Sequence, residues 1–131
     1  MTLTEIRNAI IQRMTAQTAI AKNDVRYPND KPYDPTGKSI WARLTIKHGL
    51  SGTQEIGSGP VVHRTGIAFI QLFVPLDTGT LFITQTADQL KDLFENQTDG
   101  QLDYFSVSAD DVGNEGHGWY QLNLSIPYRA L

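Results

Sequence analysis

The chain of 131 residues has no cysteine, which excludes disulfide staples and thiolate metal sites and agrees with a reducing compartment. Its three histidines, His48, His63 and His117, lack the short spacing of common zinc sites, so loop or surface positions are expected for them. No apolar run approaches the roughly 20 residues needed to span a bilayer, and no membrane partner is expected. Basic charge is scarce. With 11 Lys and Arg against 14 Asp and Glu, the net charge of −3 disfavours simple phosphate neutralisation and sequence-specific nucleic-acid binding. Met1-Thr2-Leu3-Thr4-Glu5 runs straight into a helical pattern without the basic and apolar regions of an export signal.

Catalytic signatures are similarly thin. Gly57-Ser58-Gly59 lacks the Lys-Ser/Thr of a phosphate loop and opens no helix. Asp110, Asp111 and Glu115 fall in one polar stretch, but their spacing is not that of an EF-hand, and a solvated acidic loop is expected. Asn96-Gln97-Thr98 fits a glycosylation acceptor, which has no meaning without secretion. Asp77-Thr78-Gly79 after Phe73-Val74-Pro75-Leu76 is similar to the Asp-Thr-Gly of aspartic proteases, where paired carboxylates share a proton. That chemistry needs a strand-rich frame and a flap, whereas the segment after Thr80 has helical spacing, so a turn or helix cap is the preferred role for Asp77. We therefore assign no catalytic, cofactor-binding or metal-binding residue from the sequence.

What is present fits one domain, residues 1–131, with 40% apolar and 19% charged residues. Charge is unevenly spread: residues 1–48 hold eight Lys/Arg against four Asp/Glu (+4), and residues 49–131 hold three against ten (−7). Either neighbouring copies attract head to tail through these halves, or the chain simply has an uneven solvated surface.

Thr2 and Glu5 have capping-box spacing, and Leu3, Ile6, Ile10 and Met14 follow on one face, which predicts a helix from about Thr2 with a core-facing stripe. Asn23 to Gly37, interrupted by Pro28, Pro32 and Pro35, reads as an extended connector pinned by Tyr27 and Tyr33. Ser39–His48 alternates, with Ile40, Ala42, Leu44 and Ile46 on one face and Trp41, Arg43, Thr45 and Lys47 on the other. Thr65–Val74, nearly apolar on both faces, reads as a central strand covered on both sides and paired antiparallel with it. Gly49–Val61 between them is a loop or projecting hairpin arm. A second helix is expected from the Asp77–Thr80 turn to about Phe94, with Ile83, Ala87, Leu90 and Phe94 facing inward and β-rich residues at Leu81–Gln85. Leu102–Ser108 and Gly118–Tyr128 supply two more strands flanking the polar loop Ala109–Gly116. The expected class is α+β: a mainly antiparallel or mixed sheet of about four strands with two principal helices packed on it.

Four strings, in this order, carry a resemblance: YPNDKPYDPTGKSIWARLTI (Tyr27–Ile46), RTGIAFIQLFVPLDTGT (Arg64–Thr80), ADQLKDLF (Ala87–Phe94) and GWYQLNLSIPYRA (Gly118–Ala130). Together they resemble the tail terminator-like proteins of long-tailed bacteriophages over nearly the whole chain. The resemblance implies a structural virion protein assembled in the host cytoplasm, not an enzyme and without cofactor. It implies a homo-oligomer, a ring of six copies, that caps the tail tube, stops polymerisation of the major tail tube protein and presents a surface to a head-completion or neck protein. The Gly49–Val61 arm is the expected contact with a neighbour or the tube, with Gln54, Glu55 and Ile56 near its tip, the alternative being a disordered loop. Another neck or head–tail joining protein is the competing assignment, and an Asp-Thr-Gly protease the remote one.

Overall fold

The computed structural model describes residues 1–53 and 62–131. Its elements run α1 (Leu3–Thr15), β1 (Val25–Arg26), β2 (Trp41–Thr53), β3 (Val62–Pro75), α2 (Leu81–Phe94), β4 (Thr98–Asp99), β5 (Leu102–Tyr104), β6 (Ser108–Asn114) and β7 (Trp119–Ala130). A 3-10 turn at Lys22–Asp24 precedes β1. None of the helices among the described residues is long and apolar enough to cross a membrane.

The expected sheet of about four strands is overturned: 43% of the residues are strand, and seven strands form one curled half-barrel sheet accompanied by two helices. The order is β1-β2-β3-β7-β5-β4, with β6 paired alongside β5 on the same flank of β7. β1 runs parallel to β2, and the other pairs are antiparallel. The additional strands escaped the sequence for two reasons. β1 and β4 have two residues each and β5 has three, too short to show alternation. β6, SADDVGN, is polar along its whole length, so the expected acidic loop at Ala109–Gly116 is instead mainly an edge strand held by backbone bonds to β7.

The long strands follow their hydrophobic pattern. Registers align Ala42 with Leu72 and Leu122, Leu44 with Ile70 and Leu124, and Ile46 with Ala68 and Ile126. These even-numbered residues make the inner face, where they join Ile6, Ile10 and Met14 of α1 and Ile83, Ala87, Leu90 and Phe94 of α2 in one buried core. Because strand side chains alternate strictly, the odd-numbered residues of β2, β3 and β7 occupy the other face. β3 is central, as its composition requires, but the helices cover only its inner side; Ile67 on its outer side is 37% exposed.

α1 starts where expected. Thr2 Oγ1 accepts from Glu5 N, and Glu5 Oε1 accepts from Thr2 N, completing the capping box. Leu3, however, is 52% exposed at the helix start, so three side chains and not four form the buried stripe. Those three contribute about 5–9 kcal/mol as an upper estimate. α2 begins at Leu81 without a side-chain cap from Thr80, contrary to the expected hydroxyl or carboxylate cap; Thr84 Oγ1 donates to the Thr80 carbonyl instead. The β-rich start is helical because Ile83 is already fully buried, while Leu81 and Phe82 remain exposed. Asn96, at φ +55°, turns the chain out of α2 in the left-handed conformation that Asn tolerates.

One polar knot binds the helices to the far edge of the sheet. Arg13 donates twice to Asp99, at 2.7 and 2.8 Å, and once to the Leu93 carbonyl, while the Tyr104 hydroxyl donates to the same carboxylate. The Arg13 bond, reinforced by Tyr104, holds the Asp99 pKa below the usual carboxylate range, whereas burial and then the Asp99 acceptor push the Tyr104 phenol up. A second anchor holds the proline-rich connector: Asp24 accepts from Tyr33 Oη at 2.8 Å and pairs with Lys38 at 3.3 Å.

The close approach at Gly66 explains one residue of the Arg64-Thr65-Gly66 string. A Cβ there would lie 2.2 Å from the Tyr128 hydroxyl oxygen and 2.5 Å from the Lys47 carbonyl oxygen. Tyr128 is buried and its hydroxyl contacts His48 Nδ1 at 3.1 Å, so the ring has no free direction in which to retreat. Gly66→Ala is therefore expected to destabilise by about 1–3 kcal/mol and to lower the melting temperature by about 4–12 °C. Gly52→Ala, which meets nothing within 4 Å, is the control and should leave melting nearly unchanged.

Asp99→Asn is expected to cost about 1–2 kcal/mol at neutral pH, the lower part of the range for charge-assisted bonds because the carboxylate is 31% exposed. A depressed folded-state pKa contributes stability that is complete above the unfolded value near 3.8 and is lost as pH falls through the lower folded value. The stability gap between wild type and Asp99→Asn should accordingly close on acidification below about pH 4 in urea titrations.

Candidate assembly surface

The hairpin of β2 and β3 forms the base of the expected arm. After a register shift between His48 and Ser51, the strands continue as Ser51–Thr53 paired with Arg64–Val62. Gly49 is required at that shift, since a Cβ would approach the Thr65 carbonyl oxygen to 2.8 Å. Arg64 locks the base by donating from Nε to the Met1 carbonyl at 3.0 Å and from Nη1 to Ser51 Oγ at 2.9 Å, and Thr65 Oγ1 donates to the Leu50 carbonyl. Gly49–Thr53, expected in the arm, thus belongs to β2, with Gly49 and Leu50 in the register shift and Ser51–Thr53 paired with β3, while the proposed tip residues Gln54, Glu55 and Ile56 lie outside the described residues.

On the outer face of the sheet, Trp41 of β2 stacks on Phe73 of β3 with ring centroids 4.1 Å apart, and Trp119 of β7 meets Trp41 edge-on at 6.1 Å. Tyr33 lies against Trp41 from the connector side at 5.5 Å. Arg43 bridges β2 to β3 by donating to Gln71 Oε1 at 2.6 Å and lies over the Phe73 ring. Trp41 Nε1 is buried and lacks a hydrogen-bond partner among the described residues. Beside it is a recess of about 300 Å³ between the connector and β2, lined in part by Arg26, Lys31, Tyr33 and Arg43. This face joins aromatic area to positive charge, and its most buried aromatic, Phe73, is covered by the stacked Trp41 ring of the neighbouring strand.

The residues weighed for catalysis are dispersed. Asp77, at φ +64°, Thr78, whose hydroxyl donates to the Pro75 carbonyl, and Gly79, at φ +76°, make the turn from β3 into α2. Asp110 and Asp111 pair with Asn123 and Leu122, consecutive positions that point to opposite faces of β6, and Glu115 is engaged by the His117 ring at 2.9 Å. His48 contacts Tyr128, and His63 pairs with Gly52 in the hairpin. Among the described residues there is no group of three His, Asp or Glu side chains able to hold a metal ion. Sequence reasoning missed the edge position of β6, because a polar, glycine-containing run shows no alternation that would distinguish a solvated strand from a loop.

Comparison with known proteins bears on the resemblance read from the sequence. Residues 5–128 match the family described as phage tail terminator protein. No curated protein matches the sequence. Eight solved chains match in three dimensions; one of them, 19% identical, superposes over 100% of this chain and 96% of its own length with a TM-score of 0.72, which shows a shared fold. With the family match spanning both helices and nearly the whole sheet, the chain belongs to the phage tail terminator protein family, whose members are structural components of the virion.

Proposed function

We propose that this protein closes the head-proximal end of the phage tail: a ring of six copies binds the last ring of the major tail tube protein, stops its polymerisation and offers its opposite surface to a head-completion or neck protein. The observation that carries the reading is the family match over residues 5–128. The molecule supplies suitable parts. A β2–β3 hairpin anchored by Arg64 can reach a neighbour or the tube, and the outer sheet face presents aromatic and basic groups that no helix covers. A ring uses two different surfaces of each subunit, whereas a cap must bind the tube end without offering a fresh growth site. These are tasks of interface chemistry and require no reacting group, so the protein acts stoichiometrically and not as an enzyme.

Two measurements test this reading. A phage lacking the protein should start tube growth but lose length control, giving headless tails, many of them overlong, alongside DNA-filled heads in electron micrographs. Purified protein added to growing tubes should stop elongation in proportion to the number of tube ends. Tails of normal length without the protein would instead place it elsewhere in the neck.

A variant in the Asp-Thr-Gly turn tests the absence of a catalytic task. Since Asn tolerates positive φ as well as Asp does, Asp77→Asn should change stability by less than about 0.5 kcal/mol and leave phage yield at the wild-type level. Loss of infectivity with an intact fold would restore a chemical role for that carboxylate.

A further inference from the structure

Charge and unpaired backbone coincide at two edges of the sheet. β1 covers β2 only at Ala42 and Arg43, so from Leu44 onward the outer edge of β2 has no strand partner among the described residues. At the other flank β6 pairs with β7, and its far edge has no strand partner among the described residues. The β2 flank carries exposed Lys31, Arg43 and Lys47, and the β6 flank carries exposed Asp110 and Asp111. Lys31, Lys47, Asp110 and Asp111 form no ion pair among the described residues. Each edge also exposes an apolar side chain: Leu50 is 91% exposed and Val112 46%.

We propose that β6 of one copy docks on the β1–β2 edge of the next, a contact that rests on the ring reading above and names its subunit interface. Three features select a second copy as the occupant. The edges have opposite charge. Asp110 lies in register with Asn123, on the same outer face as Arg43 and Lys47, so a sheet continued from one copy into the next sets the carboxylate beside the cations on one face. Finally, two β6 edges repel each other, as do two β2 edges, which disfavours the two-fold dimer and leaves head-to-tail association, the type of contact that closes into a ring. The same carboxylates shield β6 from indiscriminate edge pairing, as charged edge residues commonly do.

The test compares five samples by sedimentation equilibrium in low salt, with circular dichroism to verify the fold: wild type, Asp110→Lys/Asp111→Lys, Lys31→Glu/Lys47→Glu, the chain carrying all four changes, and an equimolar mixture of the two double variants. Each double variant has two edges of like sign and should associate about 100-fold more weakly than wild type. The four-change chain and the mixture restore opposite signs and should recover association, and added salt should weaken it in wild type. Wild type that stays monomeric at the highest attainable concentration, double variants that associate normally, or loss without recovery in the four-change chain and the mixture would each overturn the interface. Tube-elongation assays separate this from the terminator reading: charge-insensitive association with intact capping defeats the interface alone. Normal self-association of the acidic-edge variant with lost capping assigns β6 to the tube and likewise overturns the proposal.

Discussion

The alternation of side chains across the β2–β3–β7 ladder is the constraint on which the rest of the structure depends. The three strands run in aligned register for about the length of their inner rows, so each even-numbered position meets another even-numbered position on the neighbouring strand. A slip of one residue would turn Ala42, Leu72 and Leu122 toward solvent and bring Trp41, Phe73 and Gln121 inward. Gly66 reinforces the register from one end, because only a residue without Cβ leaves room for the Tyr128 hydroxyl between β2 and β7.

With the inner row fixed, the helices have one place to go. Ile6, Ile10 and Met14 and the apolar stripe of α2 close the inside of the curled sheet. The Arg13–Asp99–Tyr104 knot then sets how α1, the end of α2 and the short β4–β5 hairpin meet. Its charges remain partly solvated, with side-chain exposures of 17% and 31%, which limits the desolvation cost while preserving the directional bonds. Packing supplies most of the attraction in this layer, and the ion pair supplies orientation.

The outer face and the sheet edges follow from the same alternation. Trp41, Phe73 and Trp119 cover one another, so aromatic area persists there without a covering helix. The edges differ in sign because the chain's early basic segment supplies β1 and β2, whereas its later acidic segment supplies β6. Such separation of charge gives the molecule unlike flanks, as the proposed head-to-tail ring requires.

The sequence by itself determined the elements whose residues carry a period: the Thr2–Glu5 capping box and α1, the alternation of β2 and β7, the central place of β3, and α2 up to Phe94. It also carried the family, through strings distributed over the chain in order. Local physics governs these features, since amphipathic spacing and capping act over a few residues. Tertiary structure alone decided the number of strands and the surfaces. β1, β4 and β5 exist because a neighbouring strand offers backbone partners to two or three residues, and polar β6 exists because β7 has an open flank. Likewise, no short-range pattern links Arg13 to Asp99 or makes edge positions of Lys47 and Asp110. Backbone pairing and long-range burial bring together residues that are remote in sequence, and that closure, rather than residue type, determines which side chains lie on the outer face and the edges.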